Sequence, residues 1–204
     1  MANIILESVR GFDALPIDDV FLKDRKIFLI GQVNDESCNE LIKELLYMEA
    51  QDNTKPIVLF INSPGGDVGS GLAVYDTIRL LKSPVYAVVT GIAASMGSII
   101  MLACDEDKRL MLPNSKVMIH DCSWGSHEMG GKKPYEVEEE LNQLKKTNER
   151  LVSIIANRTG KTVKQISKVT RFDSYFGAKE AIDFGLVSKV IDKDELTKLI
   201  GKGV

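Results

Sequence analysis

The sequence is short of the residues that usually announce a specialised environment. Its three cysteines, Cys38, Cys104 and Cys122, are an odd and scattered set with no CxxC pair. That argues against a disulfide framework and predicts a reducing, cytoplasmic compartment. Histidine is scarcer still, with only His120 and His127. No basic run accompanies the net charge of −3, so the electrostatic footprint of a nucleic-acid binder is missing. No apolar run reaches the ~18 residues of a membrane-spanning helix. In the opening stretch MANIILESVRGFDALP, Arg10 follows the short apolar patch instead of preceding it, the reverse of a secretory signal. Internal repeats, low-complexity tracts and Pro/Ser-rich linkers are lacking as well. The 204 residues make one large domain or two small ones, enough to bury a substantial core.

What is present has ordinary globular proportions, 44% hydrophobic and 27% charged. Short β-branched runs alternate with helical periodicities. Strands are predicted at Ile27–Ile30, Ile57–Ile61 and Val85–Val89, then at Arg109–Leu112 and Lys116–Ile119 on either side of the turn Pro113-Asn114-Ser115. The intervening helices are Glu36–Ala50, with Asn34-Asp35 placed to cap it, and about Val68–Leu81, with Val68, Leu72, Tyr75 and Ile78 as its buried stripe. Met96–Cys104 suits a helix buried on nearly every face. Strands and helices alternating at this spacing predict an α/β fold of right-handed βαβ units on a mostly parallel sheet. The last third differs. A long helix from Pro134 to about Asn157 carries Val137, Leu141, Leu144, Leu151 and Ile155 along a narrow seam, with Asn148 on the same line. Such a seam fits a partner helix or the chain's own sheet equally well. A short helix at Ala178–Phe184, ended by Gly185, and a strand at Leu186–Ile191 close the pattern.

The stretch VYAVVTGIAASMGSIIMLAC places one hydroxyl, Ser95, between an apolar strand and an apolar helix. A serine at a strand-to-helix turn of small residues resembles a hydrolase nucleophile elbow, although Ala93 replaces the first glycine of G-x-S-x-G. A helix-capping serine has the same address. Nucleophilic serine chemistry also needs a base. His120 ends the strand Lys116–Ile119, where open α/β sheets place their sites, whereas His127 lies in the polar loop DCSWGSHEMGGKK. A hydrogen-bonded structural histidine is the competing reading of His120. The turn INSPGGDVGSG lets the backbone approach a ligand at Gly65 and Gly66, but it lacks the phosphate-loop pattern. It reads as an oxyanion donor or a plain turn. His120, Cys122 and His127 match no structural zinc spacing, and Cys122 has no elbow to make it a nucleophile.

Together LFINSPGGDVGSGLAVYDTI, GIAASMGSIIMLA, VMIHD and GAKEAIDFGLVSKVI resemble successive motifs of the Clp protease proteolytic subunit, and LKDRKIFLIGQVND resembles that family's entry into its first strand and helix. The resemblance spans about Leu22 to Ile191. It implies a ClpP/crotonase-type spiral of ββα and βαβ units with a protruding handle helix, and a single peptidase domain over residues 1–204. Residues 1–21 would be the axial segment and about 123–160 the handle loop and helix. It implies a serine endopeptidase with Ser95 as nucleophile, His120 as base, Asp173 as third member, and the N–H groups of Gly66 and Met96 as oxyanion donors. The implied assembly is two stacked seven-membered rings of this chain. The implied partners are a Clp-type AAA+ unfoldase and unfolded polypeptide substrates. No cofactor or metal is expected in the subunit, ATP being used by the unfoldase, and neither nucleic acid nor membrane is expected as a partner. Asp121 and Cys122 stand where the family usually has Gln and Pro. Arg171 and Phe172 stand where it has an acid and an arginine. Two alternatives accompany this reading, a weakly active ring subunit paired with a paralogue and a crotonase-fold acyl-CoA enzyme.

Overall fold

The computed structural model describes residues 3–8, 11–123 and 132–201. Before the first predicted strand, an antiparallel hairpin of β1 (Asn3–Ser8) and β2 (Gly11–Pro16) leads into a short helix, α1 (Ile17–Lys23). The sequence pattern had given no element there. The expected alternation follows. Strand β3 (Lys26–Val33), helix α2 (Asp35–Gln51), strand β4 (Ile57–Gly66), helix α3 (Val68–Leu80), strand β5 (Val85–Ala94) and helix α4 (Met96–Ala103) come in turn. Asn34 caps α2 through a reciprocal bond with Ser37, and Asp67 caps α3 by accepting from the Ser70 N–H.

Strands β6 (Arg109–Met111) and β7 (Lys116–Ile119) then flank the turn at Pro113. After helices α5 (Pro134–Thr159) and α6 (Val163–Val169) come strand β8 (Ser174–Phe176), helix α7 (Ala178–Phe184), strand β9 (Lys189–Val190) and helix α8 (Lys193–Ile200). The sheet runs β3-β4-β5-β6-β9 in parallel. Strand β5 is long enough to change partner along its length. Its Ala87–Val89 pair with β6, and its Ile92–Ala94 pair with β7, which is joined in turn by antiparallel β8.

Period-two alternation divides the strand residues between two cores. Ile27, Leu29, Ile57, Leu59, Ile61, Ala87 and Val89 face the larger one, with α2, α3, α4 and the end of α5. Val58, Phe60 and Val88 face the smaller one, covered by Phe28 and by Leu196 and Leu199 of α8. Both faces are therefore dry, which is why these strands read as unbroken apolar runs. Every residue of α4 is buried.

Two expectations change in detail. The strand read at Leu186–Ile191 shrinks to Lys189–Val190, because the guanidinium of buried Arg109 donates to the carbonyls of Gly185 and Leu186 and withdraws them from the ladder. The seam of α5 also divides in two. Leu151, Val152, Ile155 and Ala156 lie in the chain's own core, whereas Tyr135 is 62% exposed, Leu141 is exposed, and Val137 and Leu144 are half-buried. Asn148, on the same line, uses its carboxamide oxygen within the chain, accepting from the Cys122 N–H at 3.0 Å.

Two consequences can be measured. Gly65 has φ +90°, and a Cβ there would meet the Ala94 carbonyl oxygen at 2.6 Å, the Ser95 Cβ at 2.7 Å and the Met96 nitrogen at 2.9 Å. These neighbours are mostly backbone and cannot rotate away, so Gly65→Ala is expected to cost about 2 kcal/mol or more in denaturant unfolding. Undiminished stability would mean that the end of β4 can withdraw from α4. Glu44 on α2 has its carboxyl pushed up to about 7 by burial first, then by Glu40 and Asp18. A carboxyl raised in the folded state favours folding below its ordinary range, and that contribution is lost as pH rises through about 7. Glu44→Gln should therefore raise the Tm at pH 8 by roughly 3–6 °C and change it little at pH 5. Equal shifts at the two pH values would contradict the assignment.

Candidate active site

Ser95, His120 and Asp173 each stand one residue beyond a hydrogen-bonded ladder. The parallel ladder between β5 and β7 ends at Ala94↔Met118, and the Ser95 N–H extends it by donating to the Met118 carbonyl at 3.0 Å. The antiparallel ladder between β7 and β8 ends at Ile119↔Ser174, so its register, carried one step further, sets His120 opposite Asp173. The side chains meet as that geometry requires. His120 Nε2 lies 2.9 Å from Ser95 Oγ, and His120 Nδ1 lies 2.9 Å from Asp173 Oδ1. With the proton on Nδ1, the ring donates to Asp173 and accepts from the Ser95 hydroxyl.

The capping alternative for Ser95 is resolved by its side chain. The residue occupies the N-cap of α4, yet its hydroxyl makes no cap bond and is turned to His120. Its backbone has φ 52° and ψ −121°, a conformation that costs a non-glycine residue on the order of 1–3 kcal/mol. Hydrogen bonds at both ends hold it there, its N–H donating to Met118 and its carbonyl accepting from Ser98 and, at 3.2 Å, from the Ile99 N–H. The Ser95 carbonyl accepts from the Ser98 N–H at 3.0 Å and from the Ser98 hydroxyl at 2.7 Å. The result is a serine whose Oγ is lifted off the helix axis and into a cleft.

That cleft has a volume of about 470 Å³ and is lined by Ser95, His120, Gly66 and Met96 together. Met96 is the first residue of α4, so its N–H has no partner within the helix and lies at the positive end of the macrodipole. Gly66 has φ +152°, and a Cβ there would sit 2.1 Å from the Val33 carbonyl oxygen, so only glycine can bring its backbone to this wall. The rest of the lining includes the apolar side chains of Val68, Ile99, Leu151 and Ile155. Cys122 lines the cleft too. Burial, and then the charge of Asp121, push its thiol up from its ordinary range, and Sγ lies 3.5 Å from the Leu144 carbonyl. Both features disfavour the thiolate, the form that would compete as a nucleophile.

The remaining sequence expectations fall in three ways. His127 lies outside the described residues. Both nitrogens of His120 face Ser95 and Asp173, and among the described residues no group of three His, Cys, Asp or Glu side chains converges as metal ligands would. Arg171 and Phe172 point outward, Phe172 being 78% exposed. Sequence reasoning passed over Thr170, a buried residue bonded to Asp121 on the strand end after His120. No periodicity or motif marks that contact, since the two residues are 49 positions apart.

An alcohol held against an imidazole, and the imidazole against a carboxylate, can together move a proton, and the positive end of α4 beside them favours a developing negative charge. Comparison with known proteins places the chain in a family. The family model for Clp protease matches residues 10–194. The chain is 42% identical to the ATP-dependent Clp protease proteolytic subunit of Streptococcus mutans, over 95% of this chain and 97% of that protein. It is 40% identical, with the same coverage, to the subunits of the same name from Streptococcus uberis and Streptococcus pyogenes. With matches that run nearly end to end on both sides, this chain belongs to the Clp protease family.

Proposed function

We propose that this chain is the proteolytic subunit of an ATP-dependent Clp protease and acts as a serine endopeptidase. The observation that carries this reading is the continuous path from Ser95 Oγ through His120 to Asp173, with 2.9 Å at each step. Ser95 attacks a peptide carbonyl while its proton passes to His120 Nε2. The N–H groups of Gly66 and Met96 stabilise the tetrahedral oxyanion, a contribution of roughly 10²–10³ in rate per donor. Collapse breaks the C–N bond, and the imidazolium gives its proton to the leaving amine. Water, deprotonated by His120, then releases the acyl group and restores Ser95. Asp173 keeps the proton of the resting imidazole on Nδ1 and stabilises the imidazolium. The apolar wall of Val68, Ile99, Leu151 and Ile155 suits an apolar substrate side chain beside the scissile bond. An acyl-CoA enzyme on the same fold would not need an alcohol, an imidazole and a carboxylate in hydrogen-bonded order, so the hydrolase reading is preferred.

The assembly is part of the proposal. The first half of α5 leaves Tyr135 and Leu141 exposed and Val137 half-exposed, and it is oppositely charged at Glu138–Glu140 and Lys145-Lys146. A second copy in the opposite orientation matches both properties, in keeping with two stacked seven-membered rings. A Clp-type AAA+ ATPase would deliver unfolded polypeptide to the enclosed sites in the cytoplasm. The subunit chemistry requires no cofactor.

Ser95→Ala is expected to abolish fluorophosphonate labelling and to lower peptide hydrolysis by about 10⁴ or more, with native mass unchanged. Labelling that persisted would remove Ser95 from the role. Val137→Glu with Leu141→Glu should split stacked rings into single rings on native mass measurement, because two charges would be buried unpaired. Leu151 is unsuitable for that test because it belongs to the subunit's own core. An unchanged mass would place the ring contact elsewhere.

A further inference from the structure

We propose that Asp121 and Thr170 are positioning residues that hold His120 and Asp173 in register, an inference that rests on the serine-peptidase reading above. The His120–Asp173 contact is poorly placed to hold itself. The Asp173 side chain is 59% exposed, and a contact so open to water contributes at most about 1 kcal/mol. Its alignment must come from the backbones that carry the two side chains.

Those backbones are fastened on both sides of the pair. Below it, Ile119 and Ser174 close the β7–β8 ladder. Above it, the Asp121 N–H donates to the Thr170 carbonyl at 2.6 Å, and the Thr170 hydroxyl donates to Asp121 Oδ1 at 2.5 Å. A regular register would set Asp121 opposite Phe172. The bond to Thr170, two residues earlier, instead loops Arg171 and Phe172 out to solvent, with Asp173 at the loop's far end. The loop is also closed on itself, since the Ser174 hydroxyl donates to the Val169 carbonyl at 2.8 Å.

Thr170 is a firm anchor. It is 1% exposed, and its N–H donates to the Ile166 carbonyl at 2.9 Å as the last bond of α6. The bond from its hydroxyl to a carboxylate is of the stronger, charge-assisted kind. His120 is thus held between two crosslinks, each one residue away from it. A displacement of about 1 Å at such a site costs ~10²-fold in rate.

The test compares Thr170→Val, which removes the hydroxyl at constant shape, with Thr170→Ser, which keeps it. The assay uses the full assembly on a short fluorogenic peptide, with fluorophosphonate labelling rates and native mass alongside. Thr170→Val should lower kcat by ~10–100-fold with KM within about twofold, and Thr170→Ser should restore most of the loss. A kcat for Thr170→Val within twofold of the parent overturns the proposal. So does an equal loss in both variants, since Thr170→Ser keeps the hydroxyl to which the role is assigned. If Thr170→Val fails to assemble, Asp121→Ala carries the same expectation, and an undiminished kcat there is equally fatal. Wild-type labelling at Ser95 separates the two levels. If wild type labels normally and the variants are unimpaired, only the positioning role falls, whereas absence of wild-type labelling overturns the underlying reading with it.

Discussion

Two hydrogen-bond ladders meet on β7, and the whole site hangs from where they stop. The parallel ladder from β5 fixes Met118 against Ala94, and the antiparallel ladder to β8 fixes Ile119 against Ser174. Because a ladder advances in whole residues, the first residue past each end has almost no freedom in height or facing. Ser95, His120 and Asp173 occupy those first free positions. A slip of one residue in either ladder would turn a site side chain to the wrong face. The long β5 makes this possible by giving up β6 at Val89 and taking β7 from Ile92, so that one strand serves the core and then the site.

The glycines are the other half of that constraint. The end of β4 must pass within a Cβ radius of the Ser95 turn, and Gly65 is the residue that permits it. The strained turn at Ser95 is supported in the same region by the Ser98 hydroxyl and N–H. Strain at the serine and crowding at the glycine are two aspects of one close approach, in which β4, β5 and the start of α4 converge on the cleft.

Legibility in the sequence followed the range of the physics involved. Strands β3 to β7 and helices α2 to α5 and α7 were readable because their apolar periodicities are local and their boundary residues, Asn34, Pro134 and Gly185, are residue types with one dominant use. Ser95 and His120 were visible because each ends a readable strand. Asp173 was not visible in this way. It precedes a three-residue strand, Ser174–Phe176, whose partner among the described residues lies more than fifty residues away, and resemblance to a known family supplied what periodicity could not. The hairpin of β1 and β2 escaped for a similar reason, as no alternation of apolar and polar residues marks it. The shortened β9 escaped because Arg109, which would be expected at a surface, is buried and claims the carbonyls of that segment. The bond between Asp121 and Thr170 is wholly tertiary and leaves no trace in composition or spacing.

Helix α4, described above as buried on every face, sets the two arms of the site in different dielectric surroundings. Its aligned peptide dipoles place roughly half a positive charge at the Met96 end, and every residue along the helix is buried. Asp173, on the other arm, is open to solvent and to mobile ions, whose screening length is about 8–10 Å near physiological ionic strength. On the proposed mechanism, salt would weaken the carboxylate's hold on an imidazolium more than the helix's hold on an oxyanion. Ionic strength would then bear more on the orientation of the base than on the stabilisation of the charge that the base helps to create.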